Sequence, residues 1–143
     1  MRKLASSVLL LIGIAIALGG FGHSLGAGGR RVEAALVAHA VPDEIGKLVL
    51  VVWDFAGGCM VVLGILVIRH WLQVRKGARP PAFVPLLIAI FYLCFGGWAL
   101  AYSKGPFFAV FIVLGGLLLA CTLLLRRGAE KIVTTQEGFK DTR

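Results

Sequence analysis

The chain alternates between long apolar runs and short charged blocks. Four runs stand out, at about 4–21, 48–68, 83–102 and 107–125, with an outer connector at 22–47 and a basic connector at 69–82. A helix needs about 20 apolar residues to cross the hydrocarbon core of a bilayer, and each run is close to that length. The pattern therefore predicts an all-α integral membrane protein. Its four transmembrane helices are expected to form one bundle domain over residues 1–128, followed by a polar tail over 129–143.

Local signals refine the boundaries. Arg2 and Lys3 before an apolar run also describe a secretory signal, but Gly19, Gly20 and Gly22 occupy the place of a cleavage motif, so a retained helix is expected. Gly22, Gly26, Gly28 and Gly29 should hold a helix poorly. From Arg30 to Val41 a short helix is expected, with Val32, Ala35, Leu36 and His39 on a face that can rest on the membrane surface. Pro42-Asp43-Glu44 reads as a helix start. In Ser103-Lys104-Gly105-Pro106, glycine should stop one helix and proline begin the next, leaving the last two helices as antiparallel neighbours.

Helices in lipid pack through small residues and hydrogen bonds, because the tails are as apolar as the side chains. Small residues four apart recur: Gly13 and Ala17, with Ala15 and Gly19; Gly97 and Ala101; Gly116 and Ala120. Gly57, Gly58, Val61 and Gly64 follow Asp54 at helical spacing, which puts the acid on a glycine-lined face and, by expectation, in the bundle interior.

Composition narrows the class. The chain is 59% hydrophobic and 15% charged, against about 25% charged in a soluble domain, which excludes a soluble enzyme or a disulfide scaffold. A net charge of +8 would point to nucleic acid in a soluble chain. Here it reads as topology signals and attraction to anionic lipid headgroups, with no nucleic-acid partner. Eleven of the 15 Lys and Arg residues fall on the side of the N-terminus, the 69–82 connector and the tail. Both termini are therefore expected in the cytoplasm. Cys59, Cys94 and Cys121 lie inside apolar runs without ligand spacing, so they read as buried hydrophobes and no metal site is expected.

One polar constellation remains. Asp54 is the only formal charge inside the four runs, about 9 Å in from the outer end of its run. His23, Trp53, Trp98, Tyr102 and Lys104 fall at the same end, and His39 can join from the connector. Ionisable groups within a span face the bundle interior, a partner or water. This layer therefore has two readings: a proton-linked or small-solute pocket, or a hydrogen bond from Asp54 that ties two helices. Haem ligation needs histidines at matched depth; only His23 and His39 can share a layer, and only if the connector folds inward, so no cofactor is expected. One acid cannot form a catalytic dyad, and no catalytic residues are assigned. Arg69, Trp71, Arg75, Lys76 and Arg79 read first as a retention signal and second as a lipid-headgroup site. Trp71, Trp98 and Tyr102 also suit aromatic belts.

Gly22-His23 closing the first helix, Trp53 opening the second and Gly105-Pro106 before the last give a layout that resembles small four-helix inner-membrane proteins of bacteria. The resemblance implies location in the bacterial inner (cytoplasmic) membrane and no reaction. Taken together, the expectation is a non-enzymatic accessory or scaffold protein that packs against itself, a membrane partner or lipid. The alternatives are a proton-linked or small-solute binding protein around Asp54 and His23, and a redox subunit holding haem or quinone.

Overall fold

A computed structural model describes the backbone of residues 2–140 and the side chains of residues 4–126. Among the described residues all regular structure is helical: α1 (Arg2–Ser24), α2 (Ala27–Ala38), α3 (Asp43–Arg75), α4 (Phe83–Ser103), a 3-10 turn (Pro106–Phe108) and α5 (Ala109–Lys140). Four helical stretches, Leu4–Ala38, Asp43–Arg75, Phe83–Ser103 and Pro106–Arg126, are long and apolar enough to cross a membrane. The protein is thus all-helical with the makeup of a multi-pass membrane protein. Of the polar tail expected over 129–143, the backbone is helical to Lys140, and the remainder lies outside the described residues.

The helices outrun the apolar runs, and the caps explain where they stop. With 33 residues, α3 is about 50 Å long and includes Arg69–Arg75, which the hydropathy pattern assigned to a connector. It starts directly after Pro42, whose carbonyl accepts from Gly46 N–H at 2.9 Å. It ends in a Schellman motif: Ala78 N–H bonds Gln73 C=O at 3.0 Å, Gly77 N–H bonds Val74 C=O at 3.1 Å, and Gly77 has φ +80°. The same motif ends α2 three residues before the expected Val41, through Val41 N–H to Leu36 C=O and Ala40 N–H to Val37 C=O, both 3.1 Å, with Ala40 at φ 49°. At the end of α4 the left-handed residue is Lys104 (φ 54°) and not Gly105 (φ −82°), which correct the expected glycine stop.

The glycine-rich stretch is helical where poor helicity was expected. Ala27, Gly28 and Gly29 open α2. A Cβ at Gly28 would lie 2.6 Å from the His23 carbonyl oxygen, so glycine is what allows this turn to sit on the end of α1.

Two compact units divide the chain, Gly13–Ile65 and Met1–Ile12 with Leu66–Arg143. In the first, α1 and α3 meet backbone to backbone. A Cβ at Gly64 would lie 2.5 Å from Ala17 N and 2.7 Å from Gly13 O, and one at Gly20 would lie 2.5 Å from Gly57 O. The Gly13/Ala17 pair therefore packs as small residues in lipid do. In the second unit α4 packs on α5. A Cβ at Gly115 would lie 2.9 Å from Ala89 O, and one at Gly96 would lie 2.9 Å from the Phe111 Cβ. Leu9, Val67, Ala89, Tyr92 and Leu118 are almost fully buried in it. The pairs Gly97/Ala101 and Gly116/Ala120 do not make this contact: Gly97 and Gly116 face open space, and Ala101 and Ala120 are exposed.

Candidate functional site

The end of α1 brings His23 and Ser24 onto α3. Trp53 and Asp54 lie one turn before Gly57, whose missing side chain leaves room for the Ser24 hydroxyl. The last carbonyls of a helix lack intrahelical donors. Here the Trp53 indole N–H donates to the His23 carbonyl at 2.7 Å, and the Ser24 hydroxyl donates to the Asp54 backbone carbonyl at 3.3 Å. The His23 ring also stacks on Trp53, centroids 3.8 Å apart and planes 14° from parallel. Trp53 therefore caps α1 with both its N–H and its ring face.

The Asp54 carboxylate is not the tie. It is exposed, and its residue joins α1 only through the backbone oxygen. Its direction from the α3 axis is roughly 60° from that of Gly57, and the glycine beside it, Gly58, meets open space. This corrects the expected interior placement: Gly57 and Gly64 face α1, whereas Asp54 and Gly58 lie on the flank. No cation lies within ion-pair distance of Asp54 among the described residues, although its charge acts on the His23 ring. His23 Nε2 is buried without a hydrogen-bond partner. Together the four residues offer an aromatic face, a carboxylate and a nitrogen still able to bond.

The other expected members belong to the second compact unit. Trp98 stacks on Tyr102 at 5.6 Å and 12°, and both are exposed, as is Lys104 at the end of α4. Trp98 continues through Phe95 to Phe111, so these rings form part of an aromatic cluster. His39 is exposed beyond α2. Beside it, the end of α2 and the start of α3 bound an open cleft of about 340 Å³ lined by Glu33, Leu36, Asp43, Lys47 and Leu50.

At the far end of α3, the Arg75 guanidinium lies 5.2 Å from the centre of the Trp71 ring. Arg69, Lys76 and Arg79 are exposed nearby, while His70 turns into the protein, 8% exposed. Sequence reasoning missed two buried polar residues. Tyr92 is 1% exposed with an unpartnered hydroxyl, and Thr122 bonds its own helix at Leu118 C=O, 2.7 Å. A mid-span tyrosine is the one signal that marked the first; nothing in the pattern marked the second.

Among the described residues no three His, Cys, Asp or Glu side chains group as a metal site. The features define a class, an all-helical protein with four potential spans and one acid-bearing helix flank. Compared with protein-family models, with curated proteins and with solved structures, the chain matches none.

Proposed function

We propose that this chain is a non-enzymatic accessory or scaffold protein of the bacterial inner membrane, with both termini cytoplasmic, whose spans associate with a second copy or another membrane protein. The observation that carries this reading is the α3 flank, where an exposed Asp54 lies beside the open Gly58. An ionisable group in an apolar span is costly against lipid and is met facing protein or water. An adjacent small residue lets a second helix approach closely. Gly97 on α4 and Gly116 on α5 are likewise open and add two further docking points.

The test is native mass spectrometry from mild detergent, with Gly58→Ile as the perturbing variant and Gly22→Ile, also in open space, as the control. A dimer, or a co-purified membrane protein, that Gly58→Ile alone disperses supports the reading. A bare monomer for the unaltered chain overturns it.

A second reading has its own observation. The buried, unpartnered His23 Nε2 favours a small hydrogen-bonding ligand at this point. A ligand mass retained by the unaltered chain and lost from Asp54→Asn would favour it over the scaffold.

A further inference from the structure

The compact unit of Met1–Ile12 and Leu66–Arg143 carries a lopsided charge. From Leu66 to Arg126 there are six Lys or Arg residues and no Asp or Glu; four of the six lie between Arg69 and Arg79. The four acids with described side chains, Glu33, Asp43, Glu44 and Asp54, all belong to the other unit. A topology signal needs only the charges, and it works equally well on a loose connector. Two structural features go beyond that requirement. Arg69 to Arg75 continue α3 as rigid helix, rising about 10 Å past the apolar run, comparable to the depth of a headgroup layer. Arg75 is also held over the Trp71 ring, which fixes a long side chain that would otherwise lose freedom on binding.

We propose that this end of α3 is a binding surface for anionic phospholipid headgroups. Arg69, Arg75 and Lys76 flank the exposed Leu72 on one arc of the helix. Leu72 and Trp71 enter the acyl boundary, Arg75 and Lys76 meet the phosphate above it, and Arg69, one turn nearer the apolar run, reaches the same layer through its long side chain. The guanidinium fork of Arg75 matches two phosphate oxygens at once, while its face rests on the indole. Arg79, just past the Gly77 turn, supplies a further cation at the helix end.

The experiment reconstitutes the full chain in nanodiscs of equal phosphatidylglycerol and phosphatidylcholine and counts lipids retained by native mass spectrometry. Phosphatidylglycerol should be retained in excess. Arg75→Gln should lower that retention about five-fold, the effect of roughly one cation near an anionic surface. Trp71→Leu should lower it too, although the net charge is unchanged. Arg31→Gln removes the same charge from the exposed side of α2 and should leave retention as it was. Equal retention of the two lipids overturns the proposal, and so does an equal loss in Arg75→Gln and Arg31→Gln, which would mean net charge alone. If Trp71→Leu fails to fold, Arg75→Lys keeps the charge without the fork: a partial loss supports the site and no loss overturns it. The same spectra report the chain's oligomeric mass, so the scaffold reading stands or falls separately.

Discussion

At the scale of single residues, Trp53 and Asp54 exchange the roles that their chemistry suggests. The acid is the only formal charge in the apolar runs, yet it holds nothing through its carboxylate; the tryptophan, one residue earlier, closes α1 with a hydrogen bond and a stacked ring. The sequence made His23, Trp53 and Asp54 legible as neighbours, because all three fall at one end of their segments. It could not say which atom of Asp54 does the bonding, since that depends on the helix rotation and not on residue type. Asp54→Leu should therefore change stability by no more than about 0.5 kcal/mol in dilute detergent, the range of a surface site. Trp53→Phe, which keeps a ring and removes the N–H, should cost about 1 kcal/mol. Reversible unfolding followed by circular dichroism measures both. A loss above about 2 kcal/mol for Asp54→Leu would restore the carboxylate as the tie.

At the scale of elements, the instructive feature is a doublet. Gly19-Gly20, Gly57-Gly58, Gly96-Gly97 and Gly115-Gly116 each put one glycine, at 20, 57, 96 and 115, into contact with the backbone of a neighbouring helix. Choosing between the members of a doublet from sequence requires knowing which way the helix faces. In a soluble protein hydrophobic periodicity gives that direction, but in these spans both faces are apolar and the signal vanishes. That is why spacing to Ala101 and Ala120 points to Gly97 and Gly116, one residue out of phase. A paired substitution checks the assignment. Gly64→Ala should destabilise by about 1–3 kcal/mol, because its Cβ would press on Gly13 and Ala17. Gly58→Ala should leave stability unchanged or slightly raised, since alanine is the better helix former and its site is open. Equal effects would mean that the α1–α3 contact uses a different face.

Helix ends at this same scale allow a test with opposite signs. Lys104 adopts a left-handed conformation that costs an L-residue about 1–2 kcal/mol, whereas Gly77 adopts one at no such penalty. Lys104→Gly should stabilise by about 0.5–1 kcal/mol once the greater freedom of glycine in the unfolded chain is subtracted. Gly77→Ala should destabilise by about 1–2 kcal/mol. Thermal unfolding in one detergent reads both, and matching signs would contradict these caps. The Gly105 position predicted for the stop was wrong by one residue because Gly105 is followed by Pro106. A residue before proline is held in extended conformations, and Gly105 is accordingly extended at φ −82°, ψ 119°.

At the scale of the whole molecule, sequence and structure agree on helices and on four stretches able to span, while orientation rests on charge. With eleven of 15 cations expected on one side, the positive-inside rule predicts both termini in the cytoplasm. The orientation is sharply testable, since crossing by α1 fixes the side on which every later segment lies. Alkaline phosphatase, active only outside the cytoplasm, can be fused after Ala40, Gly77, Gly105 and Arg143. The expected pattern is active after Ala40 and Gly105 and inactive after Gly77 and Arg143. Activity after all four would mean a cleaved or translocated first segment and a single exported chain. Inactivity after Ala40 with activity after Gly77 would invert the molecule, carrying the Arg69–Arg79 cations to the outer leaflet. In that arrangement Asp54 would lie nearer the cytoplasmic end of its span, and a pocket built on it would open inward.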